Sequence, residues 1–289
     1  MSKNPEVSFG IVADCQYADA DDYEGTIRGS KKKFYNRYRM SPRKLEEAVN
    51  TFNEYDLDFT VHLGDFVDRK LEDADVLHTI TDRMRAPLWH VLGNHEFWVK
   101  GTEVQTVLDT YKMEHKYYSR RKIGSRFIVL DTCDLGVLEH KEGTPNWIIG
   151  RTLLNKMKME GAINAHHWNG GLSDRQLDWL DDELAEAEKL DEKAVIFAHH
   201  PVFPLTALNA LNRHEIISVI NGHDNVAAFI NGHDHGGGFG VYRNVPYVTM
   251  PGMLSGDTNA YAVAHLYGDR LEINGYGRVQ DRVLTVEEK

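Results

Sequence analysis

The sequence predicts a layered α/β sandwich in which helices flank β-sheets. Two observations predict this class. Short apolar runs rich in β-branched and aromatic residues alternate with amphipathic stretches of helical period. Five of the apolar runs end directly in polar residues, a pattern typical of strands whose carboxyl ends form a ligand-binding edge.

The apolar runs predict strands that recur along nearly the whole chain. In chain order the predicted strands are Val7–Ala13, Phe59–Leu63, Leu88–Val91, Phe127–Leu130, Ala194–Ala198, Val226–Ile230, Tyr247–Met250, Ala262–Leu266 and Leu271–Asn274. The predicted helices between them are Ser41–Tyr55, Glu72–Met84, Glu103–Tyr111, Ser173–Leu190 and Asn212–Ile220. Ser41 before Pro42 predicts an N-cap followed by proline at the first helical position, and Ser173 with Gln176 fits a capping box.

Length and composition predict one domain with a sizeable core. The chain has 289 residues, of which 42% are hydrophobic and 27% are charged, as in ordinary globular proteins. It contains no long linker, low-complexity tract or repeat of domain size. We therefore expect a single domain over residues 1–289. Residues 132–170 have the weakest pattern and are predicted to form an insertion over one face.

Charge and cysteine content exclude several classes of function. The formal net charge of −11 argues against non-specific nucleic-acid binding, which needs a basic surface. Cys15 and Cys133 form neither a disulfide framework nor a CxxC zinc motif. The sequence lacks both an apolar signal core and a membrane-length apolar segment. We expect a cytoplasmic protein without nucleic-acid or membrane partners, and its oligomeric state stays open.

One tetrapeptide occurs twice, as Asn221–Asp224 and again as Asn231–Asp234, and only the second copy continues into His235. The first copy follows a predicted helix, where glycine is the usual residue just past the end. The second follows a predicted strand, at the edge of an α/β sheet where ligands bind. We therefore interpret the first copy as a turn and the second as part of a site.

Polar side chains follow five predicted strands and together indicate a metal centre. They are Asp14 and Gln16, Asp65 and Asp68, Asn94 and His95, His199, and His233 and His235. Carboxylate, carboxamide and imidazole without thiolate suit Mn, Fe, Zn or Ni, and the share of oxygen ligands favours Mn or Fe. Two metals roughly 3.5–4 Å apart need a bridging carboxylate, for which Asp65 is the central candidate. Taken singly, Gly93–Glu96 also fits a type I turn, and His199 before His200 also fits a strand end without ligands.

In this order, the motifs resemble those of the metallophosphoesterase (calcineurin-like phosphoesterase) family, from about Phe9 to Leu284. The resemblance implies a four-layer α-β-β-α sandwich with a dinuclear metal site at the carboxyl ends of the strands. The implied ligands of the first metal are Asp14, Gln16, Asp65 and His235. Asp65 would bridge to a second metal held by Asn94, His199 and His233. His95 would act as the acid or steady the phosphoryl group, with Asp68 orienting it, and His199 rather than His200 would be the ligand before Pro201.

Gln16 departs from the family pattern, in which the first motif usually ends in histidine. A carboxamide is a harder and weaker ligand than imidazole, so we expect two divalent ions with Mn²⁺ preferred, and Fe, Zn, Ni or Co as alternatives. The departure also indicates one branch of the family, the manganese-dependent ADP-ribose/CDP-alcohol diphosphatases. FGIVADCQYAD, KKKFYNRY, Asn169-Gly170-Gly171 before QLDWL, and GYGRVQDR resemble that branch.

This resemblance implies an enzyme that cleaves the phosphoanhydride of nucleoside diphosphate derivatives, with ADP-ribose and CDP-alcohols as substrates, by attack of a metal-bridging hydroxide. A broad phosphomonoesterase or phosphodiesterase is the alternative, including alkaline-phosphatase-like and cyclic-nucleotide forms. A catalytically dead binding module is a third reading, but every ligand position and His95 are filled. The expected partner is therefore a small-molecule phosphate ester or nucleotide-derived substrate.

Five residues are candidates for substrate contact. They are Tyr23, Lys33, Tyr35, Asn169 and Arg278. The basic-aromatic run around Lys33 could equally begin a solvated helix, and the tyrosines could be packing residues. Asn169 also fits a turn before the Ser173 cap. Arg278 could equally hold the end of the chain in place through surface salt bridges.

Overall fold

The computed structural model describes residues 4–26, 33–98 and 102–286, with Lys33 described in its backbone alone. The strands are β1 (Val7–Val12), β2 (Tyr23–Thr26), β3 (Lys33–Asn36), β4 (Phe59–His62), β5 (Leu88–His90), β6 (Tyr118–Lys122), β7 (Ser125–Val129), β8 (Lys193–Ala198), β9 (Val226–Asn231), β10 (Gly238–Tyr242), β11 (Val245–Thr249), β12 (Ala260–Leu266), β13 (Arg270–Gly277) and β14 (Arg282–Thr285). The helices are α1 (Ser41–Phe52), α2 (Ala74–Thr81), α3 (Val104–Thr110), α4 (Pro145–Met159), α5 (Asp174–Lys189) and α6 (Arg213–Asn221).

Two six-stranded sheets form the centre of the molecule. The first has the order β14-β13-β12-β1-β4-β5, and the second has the order β10-β11-β9-β8-β7-β6. Strands β1, β4 and β5 are parallel neighbours, as are β11, β9, β8 and β7. Their carboxyl ends therefore lie along one edge of each sheet, where α/β proteins bind ligands.

The sheets face each other across an aromatic core. Phe9 stacks on Phe59 with ring centroids 5.0 Å apart, and it meets Phe127 and Phe197 of the opposite sheet edge-on, at 5.7 Å each. Burying aromatic side chains of this size removes a large apolar area from water, which stabilises the pairing of the sheets.

Helices cover the outer faces of both sheets. Apolar residues of α1, α2 and α3 pack on the first sheet in one buried cluster, and those of α5 and α6 pack on the second sheet in another. The four layers confirm the predicted α-β-β-α sandwich.

Each predicted strand and helix has a counterpart in the structure, with bounds that differ by a few residues. The elements that sequence patterns missed are β2, β3, β6, β10, β14 and α4. The missed strands lie in the small hairpin or at sheet edges, where exposed polar residues break the apolar alternation. Helix α4 lies in the weakly patterned segment 132–170 and leaves Ile148 and Ile149 half exposed, which blurs its apolar face.

The two cap predictions had different outcomes. Ser173 is the N-cap of α5 and accepts a hydrogen bond from the Gln176 backbone N–H, as predicted, while the Gln176 side chain bonds the backbone of Asp131 instead of closing a capping box. The Ser41 prediction was wrong. Ser41 is the first residue of α1, and its hydroxyl donates to the Cys15 carbonyl at 2.5 Å. No helix in the described part of the chain is long and apolar enough to cross a membrane.

Candidate metal centre

The five polar strand ends meet at the shared carboxyl edge of the two sheets. Asp14 and Gln16 follow β1, Asp65 follows β4, and Asn94 follows β5 in the first sheet. His199 follows β8, and His233 and His235 follow β9 in the second sheet. Six of these seven side chains are buried, and His235 is partly exposed. The centre therefore lies between the sheets and opens to solvent beside His235.

Strained backbone marks the same residues. Asp14, Gln16, Asp65 and His233 have φ values of 50°, 40°, 57° and 68°, in the left-handed region. Such conformations cost about 1–3 kcal/mol each outside glycine and persist where the surroundings over-determine them, often at functional sites. Half of the eight non-glycine residues with positive φ in the described ranges belong to this cluster. Gly93 passes so close to Asp65 that an added Cβ would lie 2.2 Å from its Oδ1.

Three electron-pair donors converge on one nitrogen of the His199 imidazole. Its Nε2 lies 3.2 Å from Asp65 Oδ2, 3.1 Å from Asn94 Oδ1 and 3.1 Å from His233 Nδ1. The other His199 nitrogen, Nδ1, lies 2.8 Å from the Leu63 carbonyl, which only accepts, so Nδ1 carries the proton of the neutral ring. The lone pairs of these atoms therefore face one another. A positive charge between them would offset their mutual repulsion and make the arrangement favourable.

The ionisation states agree with that requirement. Burial would raise the pKa of Asp65, but the imidazoles of His199 and His95 lower it well below its usual range, so the carboxylate is charged. Burial, together with His200 and His199, holds the pKa of His233 well below 6.5, which leaves its ring neutral as a metal ligand must be. Burial would likewise lower the pKa of His199, yet Asp65 raises it to about 9. A proton or a metal cation is therefore attracted to this point.

A second group of donors lies on the Asp14 side. Asp14 Oδ1 is 3.5 Å from His235 Nε2, and Gln16 Nε2 is 3.4 Å from Asp65 Oδ2. Gln16 Oε1 is buried and has no hydrogen-bond partner within the described structure. Leaving a buried carbonyl oxygen unpaired costs about 1–3 kcal/mol, and coordination of a cation would remove that cost. Both halves of the cluster therefore fit divalent ions, with Asp65 between them.

His95 lies at the mouth of the centre and is held in one orientation. Its Nδ1 is 3.1 Å from Asp68 Oδ1 and 3.1 Å from the Asp68 carbonyl, and its backbone N–H donates to Asp65 Oδ1 at 2.9 Å. Burial would lower the pKa of His95, but the charge of Asp65 and the hydrogen bond with Asp68 raise it to about 9. Asp68 therefore contacts His95 as expected from the sequence, and the imidazole can carry a proton at neutral pH.

Glu96 has a structural function that the sequence prediction missed. Its Oε1 accepts from Phe66 N at 2.7 Å and from the Tyr111 hydroxyl at 3.0 Å, and its Oε2 accepts from Gly93 N at 2.9 Å and Asp65 N at 3.2 Å. One carboxylate thus joins the turns that carry Asp65 and Asn94. The sequence signal for this function was an acidic residue directly after Asn94-His95. Because Glu96 is buried, its carboxylate must find hydrogen-bond partners inside the protein.

The contacts of two further histidines bear on alternatives left open by the sequence. His200 lies 2.8 Å from Thr132 Oγ1 and 3.1 Å from the Trp168 carbonyl, so both its ring nitrogens have partners away from the cluster, whereas His199 Nε2 points into it. His223, in the first copy of the tetrapeptide, lies just after the end of α6 and contacts Asp181 and Glu188 of α5. That copy is a turn, as predicted.

Asn169 contacts the ligand cluster rather than open space. Its Oδ1 lies 3.0 Å from His233 Nε2, and its Nδ2 donates to the Asn164 and Ala207 carbonyls at 2.9 and 2.8 Å. The amide is buried and all its strong contacts are internal. It therefore fixes the His233 tautomer, with Nε2 protonated and Nδ1 without a proton, and the contact of Asn169 with substrate stays a prediction.

Arg278 also has internal partners. Its guanidinium donates to the carbonyls of Thr258 at 3.2 Å, His235 at 3.4 Å, and Gly252. These contacts tie the loop carrying His235 to the end of β13. Arg278 therefore holds this loop, and its contact with a substrate phosphate stays a prediction.

Residues 33–36 of the basic-aromatic run form strand β3 and not the start of a helix, and the residues before Lys33 in this run lie outside the described ranges. Strands β2 and β3 pair antiparallel, with Tyr23 opposite Asn36 and Glu24 opposite Tyr35. Tyr23 is 54% exposed, and the Tyr35 carbonyl accepts from Gly256 N at 2.7 Å. The hairpin thus lies against the loop after Gly252. The side chain of Lys33 is outside the described residues, so its predicted contact is untested.

Comparison with known proteins identifies the class. Residues 7–237 match the calcineurin-like phosphoesterase family model. The chain is 31% identical to a manganese-dependent ADP-ribose/CDP-alcohol diphosphatase from Danio rerio, over 98% of this chain and 99% of that one. It is 29% identical to the human protein of that name, over 98% of this chain and 93% of that one. A crystal structure of a dimetal phosphatase from Danio rerio superposes with a TM-score of 0.89 at 28% identity, covering 98% of this chain and all of that one.

The chain belongs to the calcineurin-like phosphoesterase family. Within that class it is a metal-dependent hydrolase, similar along its whole length to proteins named manganese-dependent ADP-ribose/CDP-alcohol diphosphatases.

Proposed function

We propose that the protein hydrolyses the phosphoanhydride bond of nucleoside diphosphate derivatives, ADP-ribose and CDP-alcohols among them, with two divalent ions and Mn²⁺ preferred. The observation that carries the proposal is the donor set, in which the carboxamide of Gln16 replaces an imidazole. Oxygen-rich sites favour manganese over zinc. End-to-end similarity to relatives named for this activity supports the substrate class.

In this proposal Asp14, Gln16, Asp65 and His235 hold one ion, and Asp65, Asn94, His199 and His233 hold the other. When bound, the ions supply Lewis-acid chemistry and lower the pKa of water. The remaining steps depend on the fixed geometry of this chain. The Leu63 carbonyl and Asn169 keep one protonated nitrogen on each of His199 and His233 away from the ions, so the opposite nitrogens are free to bind them.

His95 is the proposed proton donor. Asp68 holds its Nδ1, which leaves Nε2 to donate to the oxygen that leaves phosphorus or to neutralise charge on the phosphoryl group. A pKa raised to about 9 keeps that proton available at neutral pH. Fixed donors of this kind act without reorganisation in the transition state, which is where they accelerate the reaction.

Product analysis tests the proposal. Chelator-stripped protein reloaded with Mn²⁺ is offered ADP-ribose, CDP-choline, cyclic AMP and p-nitrophenyl phosphate in parallel. AMP and CMP are expected as the main products, with slow turnover of the other two substrates. Fast release of p-nitrophenol with little CMP would contradict the diphosphatase function and favour a broad phosphomonoesterase.

The repeated tetrapeptide provides a matched pair of variants for the metal assignment. H233A removes a proposed ligand and is expected to lower bound Mn²⁺ and the rate together. H223A removes the equivalent histidine at the end of α6, away from the cluster, and is expected to keep the wild-type metal content. Equal metal content in both variants would contradict the assignment of His233.

A further inference from the structure

Trp98 presents a large aromatic surface beside the proposed proton donor. Its ring lies nearly parallel to that of His95, with centroids 5.0 Å apart and an interplanar angle of 8°. The Trp98 side chain is 44% exposed. Exposed tryptophan at the mouth of a site offers a rigid face for a flat or cationic group.

The contacts of Trp98 are not those of a packing residue. Within the described part of the chain its ring meets two imidazoles, His95 and His167, the latter with centroids 6.1 Å apart. His167 in turn meets Trp168, with centroids 4.9 Å apart at 70°. Trp98, His167 and Trp168 thus form an aromatic wall, which begins at His95 and continues into the segment 132–170.

The position of this wall follows from the geometry of phosphoryl transfer. Attacking and leaving oxygens lie roughly in line on opposite sides of phosphorus. If His95 faces the leaving oxygen, the group attached to that oxygen lies on the His95 side, next to Trp98. The wall therefore faces the leaving half of the substrate and lies away from the attacking side.

We propose that Trp98 is a specificity-determining residue that stacks on a flat ring or an alkylated ammonium in the leaving half of the substrate. The inference rests on the proposed function of His95 and of the centre. Indole faces bind nucleobases by stacking and quaternary ammonium groups by cation–π attraction. Both groups occur in the proposed substrate class, as the base of a nucleotide and as the choline of CDP-choline.

A purely positioning role makes different predictions. If Trp98 only steadied the His95 ring, its loss would lower kcat for every substrate and displace the basic limb of the pH–rate profile. If Trp98 contacts the leaving half, its loss raises KM for substrates with a ring or ammonium there and leaves kcat nearly unchanged. The KM-against-kcat split and the pH profile therefore separate the two roles.

The test compares W98A and W98F with wild type in the Mn²⁺-loaded protein, using CDP-choline and CDP-glycerol. W98A is expected to raise KM for CDP-choline about tenfold, the order of one base–aromatic contact, and W98F to restore most of the loss. An equal rise in KM for both substrates would show that Trp98 contacts the nucleotide half. A larger rise in KM for CDP-choline would show that it contacts the alcohol half. Unchanged KM for both substrates, or a kcat loss with a displaced pH profile, overturns the proposal.

The control is W147A, which removes a partly exposed tryptophan of α4 whose ring faces Arg151. It is expected to leave both kinetic constants unchanged. If wild type releases no CMP, the diphosphatase function has failed, and the comparison is repeated with p-nitrophenyl phosphate against glycerol 2-phosphate. A KM rise in W98A confined to the aromatic ester would then still support Trp98, and equal KM changes for both esters would overturn it.

Discussion

The substitution E96Q tests whether a single carboxylate holds the metal-bearing turns together. In one orientation glutamine keeps an oxygen for Phe66 N and the Tyr111 hydroxyl but turns an NH₂ group toward the N–H groups of Gly93 and Asp65, now 2.9 and 3.2 Å from Oε2. In the flipped orientation Phe66 N loses its acceptor instead. Either way at least one buried backbone donor is left unpaired.

The magnitude follows from the number of lost hydrogen bonds. Hydrogen bonds to charged groups contribute about 1.5–3 kcal/mol each, and one or two of them are lost, so we expect roughly 1.5–6 kcal/mol less unfolding free energy in the metal-free protein. Burial and the charge of Asp65 raise the pKa of Glu96, yet three of its four partners are backbone N–H groups that can only donate, so the acceptor form is the one that this geometry uses. Because these turns carry Asp65 and Asn94, Mn²⁺ affinity should fall about 10–100-fold.

Urea unfolding of the metal-free proteins measures the first effect, and Mn²⁺ titration measures the second. Y111F is the matched control, since it removes the one side-chain donor, at 3.0 Å, and keeps the three backbone contacts. It should cost about 1.5–3 kcal/mol and leave Mn²⁺ affinity unchanged. An E96Q protein with wild-type stability and wild-type Mn²⁺ affinity would refute the reasoning.

Three further outcomes are expected. Because Asn169 bonds His233, N169A should lower Mn²⁺ affinity about 10–100-fold and leave KM at saturating Mn²⁺ near the wild-type value. A higher KM with unchanged Mn²⁺ affinity would instead show that Asn169 contacts the substrate. Q16H should increase preference for Zn²⁺ over Mn²⁺ in competition titrations, since imidazole is the softer ligand, and an unchanged preference would show that Gln16 does not bind the ion. Burial lowers the pKa of His90 to about 3, below the 6.5 of the unfolded chain, so the folded state binds fewer protons and its stability should fall as pH falls from 6.5 toward 3. H90F should remove up to about 1.4 kcal/mol per pH unit of that slope in acid-unfolding curves, and an unchanged slope would exclude His90 as a source.

The sequence predicted the elements whose signals are local. An apolar run of β-branched and aromatic residues favours a strand in any context, and parallel strands bring their carboxyl ends to one edge. Asp14, Asp65 and His233 could therefore be assigned to one place from the order of residues alone. The family motifs then related that edge to the four-layer sandwich, which the structure confirms. A single domain over residues 1–289 stays a prediction.

Local patterns gave a poorer account of polar side chains whose partners are distant in the chain. Asn169 bonds a histidine 64 positions away, and Arg278 bonds a carbonyl 43 positions away, so neither role can be read from neighbouring residues. Ser41 had a good capping sequence, but its hydroxyl donates to Cys15, 26 positions earlier. In each case a buried or partly buried polar group needed a hydrogen-bond partner, and only the packing of the two sheets decided which partner lay within about 3 Å.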